Sequence, residues 1–333
     1  MHSSITFRTW PGLTTPQPIA PGLSGHAWTV LPAIAGAFSA RRGLGRAFAT
    51  TLDDERMGAV RITGFLDEPR VPADHLVVIV HGFGADANSA NCIAMASAAR
   101  RAGMASLRLN LRGADLSGED IYHGGLTDDI RAALASRECR HYKHVFVAGF
   151  SVGGNIALRA ALNCIDRRIR AVASVCAPLD LAAGADAFDR PVSRLYRNHV
   201  FSNLNRVYAA TAAKRRLANP VEVVRKARSV RERDELVMVP RFGFRSADDY
   251  YFRIQAAGEL YRMDTPALII SAENDPVVPF ATLRRALRDA SAAVTSIVTP
   301  AGGHISFPGN LQFWGRTLPG LENQIAHWLL RNR

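Results

Sequence analysis

Cysteine is scarce in this chain, and the four present (Cys92, Cys139, Cys164 and Cys176) have no CxxC spacing. Three of them lie in or beside apolar runs, where cysteine behaves as a small hydrophobe. A disulfide framework is therefore not expected, and a reducing compartment suits the pattern better. Long apolar runs are missing as well. Residues 27–40 are apolar, but Pro32 interrupts them, and no run reaches the ~18 residues needed to span a bilayer. The opening MHSSITFRTWPGLTTPQP lacks the basic start and unbroken apolar core of a signal peptide. A soluble cytoplasmic protein is the expectation. Acidic residues are short too: 41 Lys and Arg face 29 Asp and Glu, a formal charge of +12 carried almost wholly by arginine. No lysine-rich tail or zinc-ligand cluster accompanies that excess, so a nucleic-acid partner is not expected.

What is present is an ordinary soluble composition, 48% hydrophobic and 21% charged over 333 residues. After a Pro/Gly-rich lead-in (1–46), residues 47–66 read as two strands with Asp-Asp-Glu at the turn. Buried strands then alternate with helical stretches. LVVIV (76–80), SLRLNL (106–111), HVFVAGF (144–150) and RAVASVCA (170–177) are the strands, with helices at 91–101, 127–137 and 152–163. Strands apolar almost throughout, separated by helices, indicate a mostly parallel sheet covered on both faces. The alternation stops at Pro178 and resumes with ALIIS (267–271), a helix near 283–290, SIVT (296–299) and a last helix. Residues 47–180 and 263–333 thus form the core. Residues 181–262 read as a helical cap inserted over the strand ends, in one continuous folded unit.

The strongest chemical signal is GFSVGG at 149–154, directly after a strand and directly before a helix. That is the setting of a nucleophile elbow, in which Ser151 occupies a strained turn and Gly149 and Gly153 remove colliding side chains. It makes the expected architecture an α/β-hydrolase fold. The serine needs a base, and the base an orienting acid, in the chain order Ser, acid, His. Asp275 follows the ALIIS strand, and His304 lies in a glycine-rich loop between the last strand and the last helix. Asp180 in CAPLD is a rival acid and Glu273 a weaker one. The backbone amides of Val152 and of Phe83, in the HGFG loop (81–84), would form the oxyanion hole. His81 reads as a loop-shaping residue, and His327, in the final helix, as facing solvent. His123 and Asp128 match an H-x4-D pattern, but YHGGLTDD reads as a loop leading to a helix capped by Thr127.

These residues are similar to the YheT-like branch of the AB hydrolase superfamily, the AB hydrolase 4 group. HAWTVLP (26–32) resembles its N-terminal His-x-x-Thr-x-x-Pro segment. HGFG, NLRG (110–113), YHGGLTDD (122–129), GFSVGGN (149–155), CAPLDLAAGAD (176–186), FRSADDYY (244–251), ENDPVVP (273–279) and GGHISF (302–307) follow in the family's order. The resemblance implies a set of Ser151, Asp275 and His304 acting on esters, with lipid and short acyl esters both represented among relatives. FGADANSAN after His-Gly and the segment 230–244 depart from the family pattern, which bears on the acyl pocket.

The chemistry so read is cleavage of a small-molecule or lipid carboxylic ester through an acyl-enzyme, with no metal or organic cofactor. An acyltransferase on the same fold and a non-catalytic binding protein are the alternatives. The cap holds 16 basic against 9 acidic residues over 182–262. That charge is read as a solvated face, with peripheral contact to anionic membrane as the competing idea.

Overall fold

The computed structural model describes residues 25–29, 45–315 and 317–333. Most of the lead-in (1–46) and the end of the His-x-x-Thr-x-x-Pro segment therefore lie outside the described residues. Eight strands form one sheet in the order β1-β2-β4-β3-β5-β6-β7-β8. They are β1 (Arg46–Asp54), β2 (Gly58–Asp67), β3 (His75–Val80), β4 (Ala105–Asn110), β5 (His144–Phe150), β6 (Ile169–Val175), β7 (Ala267–Ala272) and β8 (Val294–Thr299). β1 and β2 form the antiparallel hairpin expected around Asp-Asp-Glu, and β2 pairs antiparallel with β4. All other pairings are parallel.

The central strands are buried nearly throughout because both their faces are covered. Leu76, Val78 and Val80 of β3 share one apolar layer with Ile130 and Leu134 of α2 (Asp128–Ala135) and with Ile156 and Ala160 of α3 (Val152–Leu162). Val77 and Ile79 point the other way, to Met95 and Ala99 of α1 (Ala90–Arg101) and to Ile325 and Leu329 of α10 (Leu321–Arg331). The period-2 alternation of a strand thus feeds two separate apolar layers. Parallel β5, β6 and β7 all end on one edge, and the loops leaving them share that edge.

Between β6 and β7 the chain is helical: α4 (Leu181–Phe188), α5 (Arg194–Ala212), α6 (Val221–Val224), α7 (Val230–Phe242) and α8 (Ala247–Ile254). These helices bury a third apolar cluster of their own, built from Leu181, Val207, Tyr208, Val237, Met238, Tyr250 and Tyr251 among others. Ser229 caps α7 and Ser246 caps α8, each accepting a backbone N–H three residues on. α9 (Arg284–Arg288) is shorter than the expected 283–290. Among the described residues no helix is long and apolar enough to cross a membrane.

Thr127 corrects one expectation. It precedes α2, but its side chain makes no cap hydrogen bond. The carboxylate of Asp129 is instead drawn inward to the buried Arg112, accepting from its backbone N–H and from its guanidinium, both at 2.8 Å. A buried charge demands its counter-charge more strongly than the helix end demands a cap.

Candidate active site

Ser151 joins β5 to α3 with φ 54° and ψ −128°, a region that L-residues adopt only at a cost of about 1–3 kcal/mol. The turn is held from both sides: its N–H donates to Val175 O and its carbonyl accepts from Gly154 N, each at 2.8 Å. A Cβ on Gly149 would lie 2.0 Å from Gly153 O, and one on Gly153 would lie 2.4 Å from Val80 O. Only glycine lets strand, turn and helix cross this closely. The hydroxyl is thereby raised beyond the strand edge.

Asp275 lies three residues past β7. One carboxylate oxygen accepts the amides of Val277 (2.8 Å) and Val278 (2.9 Å), which fixes the carboxylate plane. The other is 2.9 Å from Nδ1 of His304, whose Nε2 is 2.9 Å from Oγ of Ser151. An ionised carboxylate only accepts, so Nδ1 carries the proton and Nε2 is left to accept from the serine. The rivals are elsewhere. Asp180 is the N-cap of α4, accepting from Ala183 N at 3.0 Å, and Glu273 is exposed.

Two neighbours of this chain of bonds were not legible as such in the sequence. The backbone N–H of His304 donates to Oγ1 of Thr29 at 2.9 Å, and the Thr29 hydroxyl donates to Gly25 O at 2.7 Å. Thr29 is the threonine of the His-x-x-Thr-x-x-Pro segment, to which the resemblance assigns no role. Cys176, at φ +50°, is buried beside Asp275. Its Sγ, the Asp275 carboxylate and a ring nitrogen of His304 lie within 4.8 Å of one another, the one group of three potential metal ligands among the described residues. Burial, reinforced by the Asp275 charge, pushes the Cys176 thiol well above its ordinary pKa. The thiolate that a metal would require is disfavoured there.

The HGFG loop lies against the serine: a Cβ on Gly82 would be 3.1 Å from Ser151 Cβ. His81 shapes it from beneath. Its Nε2 accepts from Leu111 N (3.2 Å) and its Nδ1 donates to Gly82 O (2.8 Å), tying the ends of β3 and β4 together. Burial lowers its pKa, which keeps the ring in that neutral form. Gly84 N donates to Tyr122 Oη at 2.9 Å, and Asn203 of α5 donates to Gly84 O at 2.9 Å. The Phe83 amide sits between these anchors. On the other side, Val152 opens α3, and a Cβ on Gly124 would touch its Cγ1 at 3.0 Å. Asn155 locks that side, donating to Gly124 O and Ile254 O and accepting from Ala256 N. The structure therefore brings Ser151, His304, Asp275, Phe83, Val152, Gly149 and Gly153 to one place.

The H-x4-D pair is not brought together. His123 is buried against Phe242, Phe244 and Tyr250, while Asp128 is half-buried and paired with Arg131. His327 is half-buried against Trp314 rather than facing solvent.

A sheet of this order, with a strained serine at the end of its central strand, defines a class. The chain belongs to the α/β-hydrolase fold family, which residues 75–311 match, and within it to the YheT-like branch. YheT of Escherichia coli (strain K12) is 30% identical over 271 residues, 76% of each chain. Monoacylglycerol lipase of Saccharomyces cerevisiae is 30% identical over 167 residues, 47% of this chain and 37% of that one. The solved esterase Pf2001 of Pyrococcus furiosus matches with a TM-score of 0.51 at 15% identity, over 78% of this chain and 85% of that one. At that identity the likeness is one of fold.

Proposed function

We propose that the protein is a serine hydrolase of carboxylic esters, with Ser151 as nucleophile, His304 as its base and Asp275 as the residue that orients and stabilises the imidazole. The observation that carries this reading is the unbroken run of two 2.9 Å hydrogen bonds from Asp275 through His304 to a serine at a strained turn. Monoacylglycerol lipase among the relatives supports an ester substrate, lipid or short acyl. Ser151 Oγ attacks the ester carbonyl carbon as its proton passes to Nε2 of His304. The amides of Phe83 and Val152 stabilise the oxyanion, typically by about 3–4 kcal/mol per donor. Collapse expels the alcohol, which takes the proton from His304, and water then releases the acyl group by the same route.

The helices between β6 and β7 act as a cap in this reading, since Asn203 of α5 reaches across to Gly84 beside the oxyanion loop. Their positive surface is a solvated face. Arg231 pairs with Asp186 and Asp248, and Arg262 with Glu259. Pelleting with anionic vesicles at low salt would contradict that reading and favour docking.

Labelling with a fluorophosphonate probe and peptide mass mapping tests the assignment. Rapid modification at Ser151, lost in His304→Ala, is expected. An unmodified Ser151 under conditions that label a control esterase would overturn it. p-Nitrophenyl esters of increasing chain length would then define the acyl preference.

A further inference from the structure

Arg233 lies on the inward face of α7 together with Asp234, Val237 and Met238. It is only 3% exposed. Its Nε is closed off from water and has no acceptor, and among the described residues its guanidinium has no hydrogen bond and no ion pair within 4 Å. A buried, unpaired guanidinium is costly, so such groups are ordinarily found with a counter-charge in contact. The nearest acid, Asp234, is occupied by the hydroxyl of Tyr251 at 2.8 Å. Burial also raises Asp234 to about 6, which weakens it as a permanent counter-charge.

Three phenols lie within electrostatic reach of Arg233: Tyr122, Tyr208 and Tyr250. Tyr208 donates its proton to Asn219 O. The other two act only as acceptors, Tyr122 from Gly84 N and Tyr250 from Gly124 N. Their own O–H protons have no acceptor among the described residues. The Arg233 guanidinium and two phenolic hydroxyls with a proton to give thus lie within electrostatic reach of one another. Their place is informative. Gly84 follows Phe83, and Gly124 abuts the Val152 side chain, so the two tyrosine hydroxyls hold backbone next to the two residues whose amides are assigned to the oxyanion.

We propose that Arg233, with the hydroxyls of Tyr122 and Tyr250, binds an anionic group of the substrate, so that the ester cleaved at Ser151 carries a carboxylate or a phosphate. The planar guanidinium matches either oxyanion in a fork. The proposal rests on Ser151 being the nucleophile, and its test is separable from that assignment because it reads binding rather than turnover.

Calorimetry on the full chain carrying Ser151→Ala, which leaves esters uncleaved, compares two pairs of ligands. Monoethyl adipate is set against ethyl hexanoate, and 1-hexanoylglycerol 3-phosphate against 1-hexanoylglycerol. At least tenfold tighter binding of a charged member is expected, and Arg233→Met in the same background should abolish the difference. An advantage for the adipate ester places the charge on the acyl side, and one for the phosphate places it on the alcohol side. Equal affinities within both pairs, or an advantage that survives Arg233→Met, would overturn the proposal. Arg233→Lys is the second variant should Arg233→Met not fold. It keeps the charge and loses the fork, and the charged ligand alone should weaken several-fold. Absent fluorophosphonate labelling of the wild-type chain would sink the nucleophile assignment and leave the calorimetric result standing by itself.

Discussion

The backbone N–H of His304 is held by the hydroxyl of Thr29, 2.9 Å away and 275 positions earlier in the chain. That bond fixes the loop from which the imidazole projects, and Gly303 allows it: a Cβ there would lie 2.4 Å from the same hydroxyl. Thr29→Val keeps the shape but leaves the N–H without its acceptor, a loss of about 1–3 kcal/mol if it stays unpaired. The expected result is a fall of about tenfold in kcat on a p-nitrophenyl ester, with KM little changed. Thr29→Ser should restore the rate. A valine variant with wild-type kcat would show that the loop holds itself.

Asp275 and Asp180 are separable by what each loss should do. Asp275→Asn keeps an oxygen for the amides of Val277 and Val278 but no longer fixes the His304 tautomer. A fall of about 10⁴ in kcat is expected, with near-normal melting. Asp180→Ala removes the α4 cap, at about 1 kcal/mol of stability, and should leave the rate within a few-fold. Equal rate losses in the two variants would contradict the assignment of the acid.

The central strands were readable because they are apolar on both faces, as only strands buried between two helical layers can be. Ser151 and Asp275 were readable because each follows such a strand, and His304 because it follows the last, edge strand of the alternation; chain order then says which role each can fill. Thr29, Tyr122 and Tyr250 were not, since they act through hydroxyls whose partners come from distant segments. Arg112 and Arg233 look in sequence like any other arginine of an arginine-rich chain. Nothing local distinguishes a cation that will be buried from one that will be solvated. Thr127 failed for the same reason: the Asp129 carboxylate two residues on answers to a long-range charge rather than to the helix end.

Arg112 should be the least replaceable of these. It is fully buried and forms ion pairs with Asp54 (2.8 Å), Asp120 (2.9 Å) and Asp129 (2.7 Å). Arg241 of α7 shares Asp120 (2.6 Å) and Asp54 (3.0 Å), so the cluster ties the β1–β2 hairpin, α2 and the inserted helices together. Arg112→Met would strand Asp129, which among the described residues has no other cation as a partner, at a cost of about 3–5 kcal/mol. Urea denaturation should show that loss. Adding Asp129→Asn should recover part of it, because the stranded charge is then gone. A double variant no more stable than the single one would mean that packing, not charge, is what Arg112 supplies.

His123 makes the stability depend on acid. Burial among Phe242, Phe244 and Tyr250, with the Arg112 and Arg241 charges nearby, lowers its pKa from 6.5 to about 3. Above pH 6.5 the ring is neutral whether the chain is folded or not, and the group adds no pH dependence. Between pH 6.5 and about 3 the unfolded chain takes up a proton that the folded chain refuses. Stability from this group is therefore present above 6.5 and lost on acidification, by about 1.4 kcal/mol per pH unit. His123→Asn offers Gly125 N an acceptor in place of Nδ1, which now accepts it at 3.1 Å, but cannot titrate. The variant should be the less stable at pH 8, where it loses ring packing. Between pH 6.5 and 4.5 the wild-type chain should lose about 2 kcal/mol more than the variant does. Urea denaturation at pH 8, 6.5, 5.5 and 4.5 reads that difference directly, since all other carboxylates and histidines are common to both chains. Parallel stability curves would mean that the folded protein admits the proton, and that the aromatic cage around His123 opens to water.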